Sequence, residues 1–108
     1  MKLSEALRIG AKLRPQAFGC FFEGDGENPV CSCALGAIYE ATFGLPDKLD
    51  EYSPCRVDYI NKDALIDDYP ELILEVDGEE LYYLISHLND GDGMEREAIA
   101  DWLESEGY

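Results

Sequence analysis

The chain predicts a mainly α-helical fold: a compact single domain spanning residues 1–108, with four to five helices around a buried central helix and room for a short two-stranded sheet. Three observations lead there. Residues 33–43 read CALGAIYEATF, apolar on nearly every face, which is the pattern of a helix surrounded by protein. Leu81, Leu84, Ile85 and Leu88, then Ala98, Ile99, Trp102 and Leu103, recur at helical spacing. Finally, 46% hydrophobic and 11% aromatic residues over 108 positions supply a core for one domain.

In chain order, Ser4 is positioned to cap a first helix that runs to Arg14, with Leu3, Leu7, Gly10 and Leu13 on one face and Pro15 as the stop. Residues 17–22 alternate Phe18, Cys20 and Phe22, which suits a short strand. EGDGENP follows as a turn-rich acidic loop. Ser32 is the expected cap of the central helix, and Gly44 its left-handed terminator ahead of Pro46. LPDKLDEYSPC reads as loop, and 56–60 as a strand able to pair with 17–22. Asp63 can cap a short helix at 64–69 before Pro70.

Residues 71–80 admit two readings. Asp77-Gly78 is a β-hairpin signal, whereas Asp77 with Glu80 forms a capping box that opens a helix over 78–89. The capping box is favoured by the apolar stripe that follows. Asp92 with Glu95 repeats it before the last helix. The expected core is Leu7, Leu13, Phe18, Phe22, Leu35, Ile38, Phe43, Leu81, Leu84, Ile85, Leu88, Ile99, Trp102 and Leu103.

Charge narrows the function classes. The 24 acids and 8 Lys and Arg leave a net charge of −16, unevenly spread. Residues 1–14 carry four bases and one acid, net +3; residues 15–108 carry four bases and 23 acids, net −19. Such a body repels phosphate, so nucleic acid and anionic membrane are excluded as partners and a basic protein surface is favoured. The carboxylates placed to meet it are Asp63, Asp67, Asp68, Glu71, Glu79, Glu80, Asp90, Asp92 and Glu95. The plain alternative is an acidic surface that serves solubility alone. The N-terminus lacks an uninterrupted signal-type apolar core and no apolar run reaches membrane-spanning length, so a cytoplasmic location with reduced thiols is expected.

Four cysteines and one histidine are the remaining chemistry. Cys20, Cys31, Cys33 and Cys55, or three of them with His87, can supply the four ligands of a structural zinc, the one cofactor the composition suits. C-x-C is a weak spacing for that purpose, and packing of Cys33 and Cys20 as small core residues is the favoured reading. A thiol enzyme would take Cys33 as nucleophile, His87 as base and Asn89 as orienter. The acidic field and the apolar CALGA context both oppose thiolate formation there. The Asp-Gly segments miss the ligand positions of a calcium loop.

QAFGCFF, CSCALGAIYEA, Tyr69-Pro70-Glu71-Leu72, His87-Leu88-Asn89-Asp90 and Arg96-Glu97-Ala98-Ile99-Ala100-Asp101-Trp102-Leu103 together resemble a group of small bacterial and phage proteins. The resemblance implies a fold and brings no catalytic residues. Its phage members lend weight to an inhibitor that imitates a nucleic acid. The chain departs from the group after Asp90: Gly91-Asp92-Gly93-Met94 stand where a histidine and an aromatic residue are expected.

Overall fold

The computed structural model describes residues 1–24, 29–45, 56–57 and 60–108. Among these, five α-helices dominate: α1 Leu3–Leu13, α2 Ala34–Phe43, α3 Lys62–Asp68, α4 Leu81–Asp90 and α5 Arg96–Ser105. A 3-10 turn, Pro70–Ile73, follows α3. Strands β1 Phe22–Gly24, β2 Pro29–Ser32 and β3 Arg56–Val57 form one antiparallel sheet in the order β2-β1-β3. Strands β4 Glu75–Val76 and β5 Glu79–Glu80 form a small hairpin. The domain is compact and mainly α-helical, as the periodicity predicts.

The first half of α2 is its centre: Ala34 through Ile38 are all buried. Two glycines let neighbours reach it. A Cβ on Gly10 of α1 would lie 2.0 Å from the Ala37 carbonyl oxygen, and one on Gly36 would lie 2.2 Å from the Phe21 carbonyl oxygen. α1 covers α2 with Leu3, Ala6 and Leu7, and α5 adds Ile99, Ala100 and Leu103. Leu65, Tyr69 and Leu72 bring α3 and the 3-10 turn into the same core. Tyr69 is buried, and its hydroxyl meets Thr42 Oγ1 at 2.8 Å.

Several expectations move. Ser4 does not cap α1; it is buried in the first turn, and the N-cap is Lys2. Residues 17–21 are not strand, and β1 starts only at Phe22, because Pro15, Ala17 and Phe21 direct backbone groups to Ser32 and Cys33 instead. The pairing of the 17–22 region with 56–60 survives as Phe22↔Val57 and Glu23↔Arg56. Residues 58–59 lie outside the described residues, as do 25–28 of the acidic loop and 46–55, including Cys55. The α3 cap is Asn61, whose Oδ1 accepts from Ala64 N at 3.1 Å, and not Asp63.

The hairpin reading of 75–80 is the one that forms. Asp77 and Gly78 turn at φ 54° and 90°, and Glu79–Glu80 pair with Glu75–Val76, so α4 begins three residues later than the capping box predicts. Asp92 is likewise not a cap: Glu95 precedes α5, without a side-chain cap bond. Leu13, Phe18 and Phe43 are exposed, while Leu88 and Trp102 are only half-buried, as is Leu84. The core gains Leu3, Ile60, Leu65, Tyr69, Leu72 and Tyr82 in their place.

Candidate functional site

Cys33 is buried at the N-cap of α2, where its Sγ accepts from Gly36 N at 3.3 Å. Ser32, the expected cap, is fully buried one residue earlier and gives its oxygens to Arg96. Burial pushes the Cys33 thiol up to about 12, more than the Gly36 N–H lowers it. A thiol held protonated at neutral pH is not an activated nucleophile. Cys20 is also buried, and it shares with Cys33, Gly19, Phe21, Ser86 and Asp90 a cavity of about 160 Å³. Cys31 lies half-buried on β2. Among the described residues, no three His, Cys, Asp or Glu side chains converge to hold a metal ion.

His87 and Asn89 part company on α4. Two residues apart, they differ by about 200° around the helix. His87 faces solvent, its Nδ1 2.7 Å from Glu79 Oε1. Asn89 is fully buried and its amide is committed. Oδ1 accepts from Ala34 N at 3.0 Å and from Gln16 Nε2 at 2.8 Å; Nδ2 donates to the Ala17 carbonyl at 3.0 Å and to Asp90 Oδ1 at 2.7 Å. Asp90 Oδ1 also accepts from Gly19 N at 2.9 Å. Asn89 thus ties α4 to the start of α2 and to the 16–19 segment.

Arg96 is also buried, and its role could not be read from the sequence. Its Nη1 donates to Ser32 Oγ at 2.8 Å and to the Ser32 carbonyl, while Nη2 donates to the carbonyls of Arg14 at 2.6 Å and Ala11 at 3.3 Å. The guanidinium therefore satisfies the open carbonyl end of α1, where a cation is also favoured by the helix dipole. Burial lowers its pKa from the ordinary arginine value. Asn89, Asp90 and Arg96 all work in the framework.

The acids are distributed otherwise. Asp63, Asp67 and Asp68 lie on α3, Glu71 is in the 3-10 turn, and Glu79 and Glu80 form β5. Asp92 and Glu95 are exposed in the link to α5. Three of the nine expected carboxylates are engaged within the chain: Glu79 with His87, Glu80 with Lys62 at 3.8 Å, and Asp90 as above. Asp63, Asp67, Asp68, Glu71, Asp92 and Glu95 have no ion-pair partner among the described residues. Residues 60–86 hold eight acids and one base, net −7. In the middle of that run Ile73 and Leu74 are each 52% exposed.

Beside this run lies a cavity of about 360 Å³ lined by Phe21, Leu35, Ile60, Lys62, Tyr82, Tyr83 and Ser86. Tyr82 and Tyr83 meet edge to face, with ring centroids 5.2 Å apart at 83°. Lys62 Nζ sits 4.6 Å from the Tyr82 centroid and 4.5 Å from that of Tyr83, and donates to the Tyr83 hydroxyl at 3.1 Å. That hydroxyl is the main cause raising the lysine's pKa. The adjacent tyrosines in ELYYL were the available signal, masked by the leucine stripe around them.

No family model matches the chain, and neither the curated proteins nor the solved structures contain a significant match. No helix among the described residues is long and apolar enough to cross a membrane.

Proposed function

We propose that this is a non-enzymatic, cytoplasmic acidic protein that binds a basic protein surface, in its sharpest form a phage-type inhibitor that imitates a nucleic acid. The observation that carries the reading is the run from α3 through the 3-10 turn to the hairpin. Its carboxylates at Asp63, Asp67, Asp68 and Glu71 have no ion-pair partner among the described residues, and the exposed pair Ile73 and Leu74 follows them in the same run. Unpaired charge in the same run as exposed apolar side chains is the composition of a protein-binding patch. The buried Cys33 thiol, the exposed His87 and the fully bonded Asn89 favour contact over chemistry.

The test reverses the patch. A variant carrying Asp67→Lys, Asp68→Lys, Glu71→Lys and Glu75→Lys should lose binding to basic proteins on a sensor surface at about 50 mM NaCl. A variant with Glu5, Glu23, Glu97 and Glu106 changed to Lys should retain most of it. Wild-type binding should weaken by at least about tenfold at about 300 mM NaCl. Equal loss in both variants would reduce the effect to net charge, and no binding at low salt would overturn the reading.

A further inference from the structure

The paired tyrosines carry the proposed function to an atomic anchor. Four groups converge beside the acidic run: the Tyr82 and Tyr83 rings, the Glu80 carboxylate and the Lys62 ammonium. Two aromatic rings, one of them offering its hydroxyl, and a carboxylate around one positive charge are the chemistry by which proteins recognise a side-chain cation. Here the cation is the chain's own. Lys62 has reasons to leave: it is the first residue of α3, where the helix dipole disfavours positive charge. Its side chain is 34% exposed, on a flexible four-carbon stem, and its carboxylate partner is 41% exposed at 3.8 Å. The cavity that Lys62 lines is also lined by Phe21, Leu35 and Ile60, an apolar wall for the methylenes of a long side chain.

We propose that the Tyr82–Tyr83–Glu80 cage receives an arginine side chain from the basic partner, and that Lys62 is the internal placeholder which that arginine displaces. Arginine is the committed occupant because its planar guanidinium stacks on aromatic faces and sheds water more readily than an ammonium does. Its charge complements the surrounding net −7 run. Lys62 then acts as a competitor within the site, so free protein binds more weakly than the cage alone would allow. The inference rests on the proposed basic partner and adds where its deepest contact lies.

The experiment uses an acetylated, amidated hexa-arginine peptide bearing a fluorophore, titrated by anisotropy at low salt. Lys62→Met and Lys12→Met change net charge identically, but only the first vacates the cage. Lys62→Met should bind about two- to fivefold more tightly than Lys12→Met. Tyr83→Leu should weaken binding by a similar factor, and Tyr83→Phe, which keeps the ring, should restore it. On the unmodified protein, hexa-arginine should shift the Tyr82 and Tyr83 ring resonances and bind more tightly than hexa-lysine. Equal affinities for the two lysine variants, or wild-type affinity in Tyr83→Leu, would overturn the cage while leaving the basic-partner reading intact. Absence of peptide binding by every form would overturn both.

Discussion

Cys33, Asn89 and Arg96 show how residues with reactive or charged groups become framework. Each serves a helix end with unmet backbone groups: the thiol and the amide oxygen serve the start of α2, and the guanidinium serves the end of α1. Buried polar groups that find partners cost little, whereas orphaned ones cost about 1–3 kcal/mol each. Among the described residues no buried side-chain nitrogen or oxygen lacks a partner. The Cys33 thiol makes this testable. An acid whose pKa rises on folding contributes stability that is complete below the unfolded thiol's value, about 8.5, and is lost as pH climbs to about 12. Urea titrations at about pH 8 and about pH 10.5 should therefore show a loss of about 2–3 kcal/mol from this group. Tyr82, pushed to about 12 by burial, slopes the same way. The check is thus the difference from Cys33→Ala, whose decline should be shallower by that amount; equal slopes would mean a thiol already in contact with water.

Close helix packing governs the elements. Gly10 lies against the Ala37 backbone, which cannot move aside as a side-chain tip would. Gly10→Ala should accordingly cost about 3 kcal/mol or more in urea unfolding, the upper range for overpacking. A midpoint within error of wild type would mean that α1 and α2 can separate freely. Long elements were legible from periodicity: α2, α4 and α5 lie within a few residues of their predicted positions. The short ones were not. Two-residue strands such as β4 and β5 carry no alternation to read, so Asp77 and Glu80 looked like a capping box although Asp77-Gly78 spelled a turn. Serine at 32 is a better cap by propensity than Cys33, which prevails, and aspartate at 63 competes on equal terms with Asn61. Tertiary demand decided at least the first, since Ser32 is claimed by Arg96. Phe18 and Phe43 have core composition and surface positions, which no local pattern distinguishes. Of the candidate site, the acidic run was visible in the composition, whereas the tyrosine–lysine cage joins positions 62, 82 and 83 and needed the fold.

Across the whole molecule, a net charge of −16 sets self-repulsion against a few attractive pairs. Arg8 bridges Asp101 and Glu104 on α5, and Arg14 pairs with Glu40 on α2, so the basic first helix and the residue after it clamp the acidic body at two places. The net charge of the chain is still −16. Screening should help: raising NaCl from about 20 to about 500 mM shortens the Debye length severalfold and should raise Tm by a few degrees. A falling Tm would show that the clamps at Arg8 and Arg14 outweigh the repulsion.

The clasp made by Arg96 has a temporal meaning as well. The carbonyls it closes belong to Ala11, Arg14 and Ser32, which leave the ribosome 64 to 85 residues earlier. At about 5–20 residues per second, the nascent first helix and its following segment wait several seconds with their polar ends open. The helix that carries Arg96 acts as a late latch, made after every carbonyl it closes.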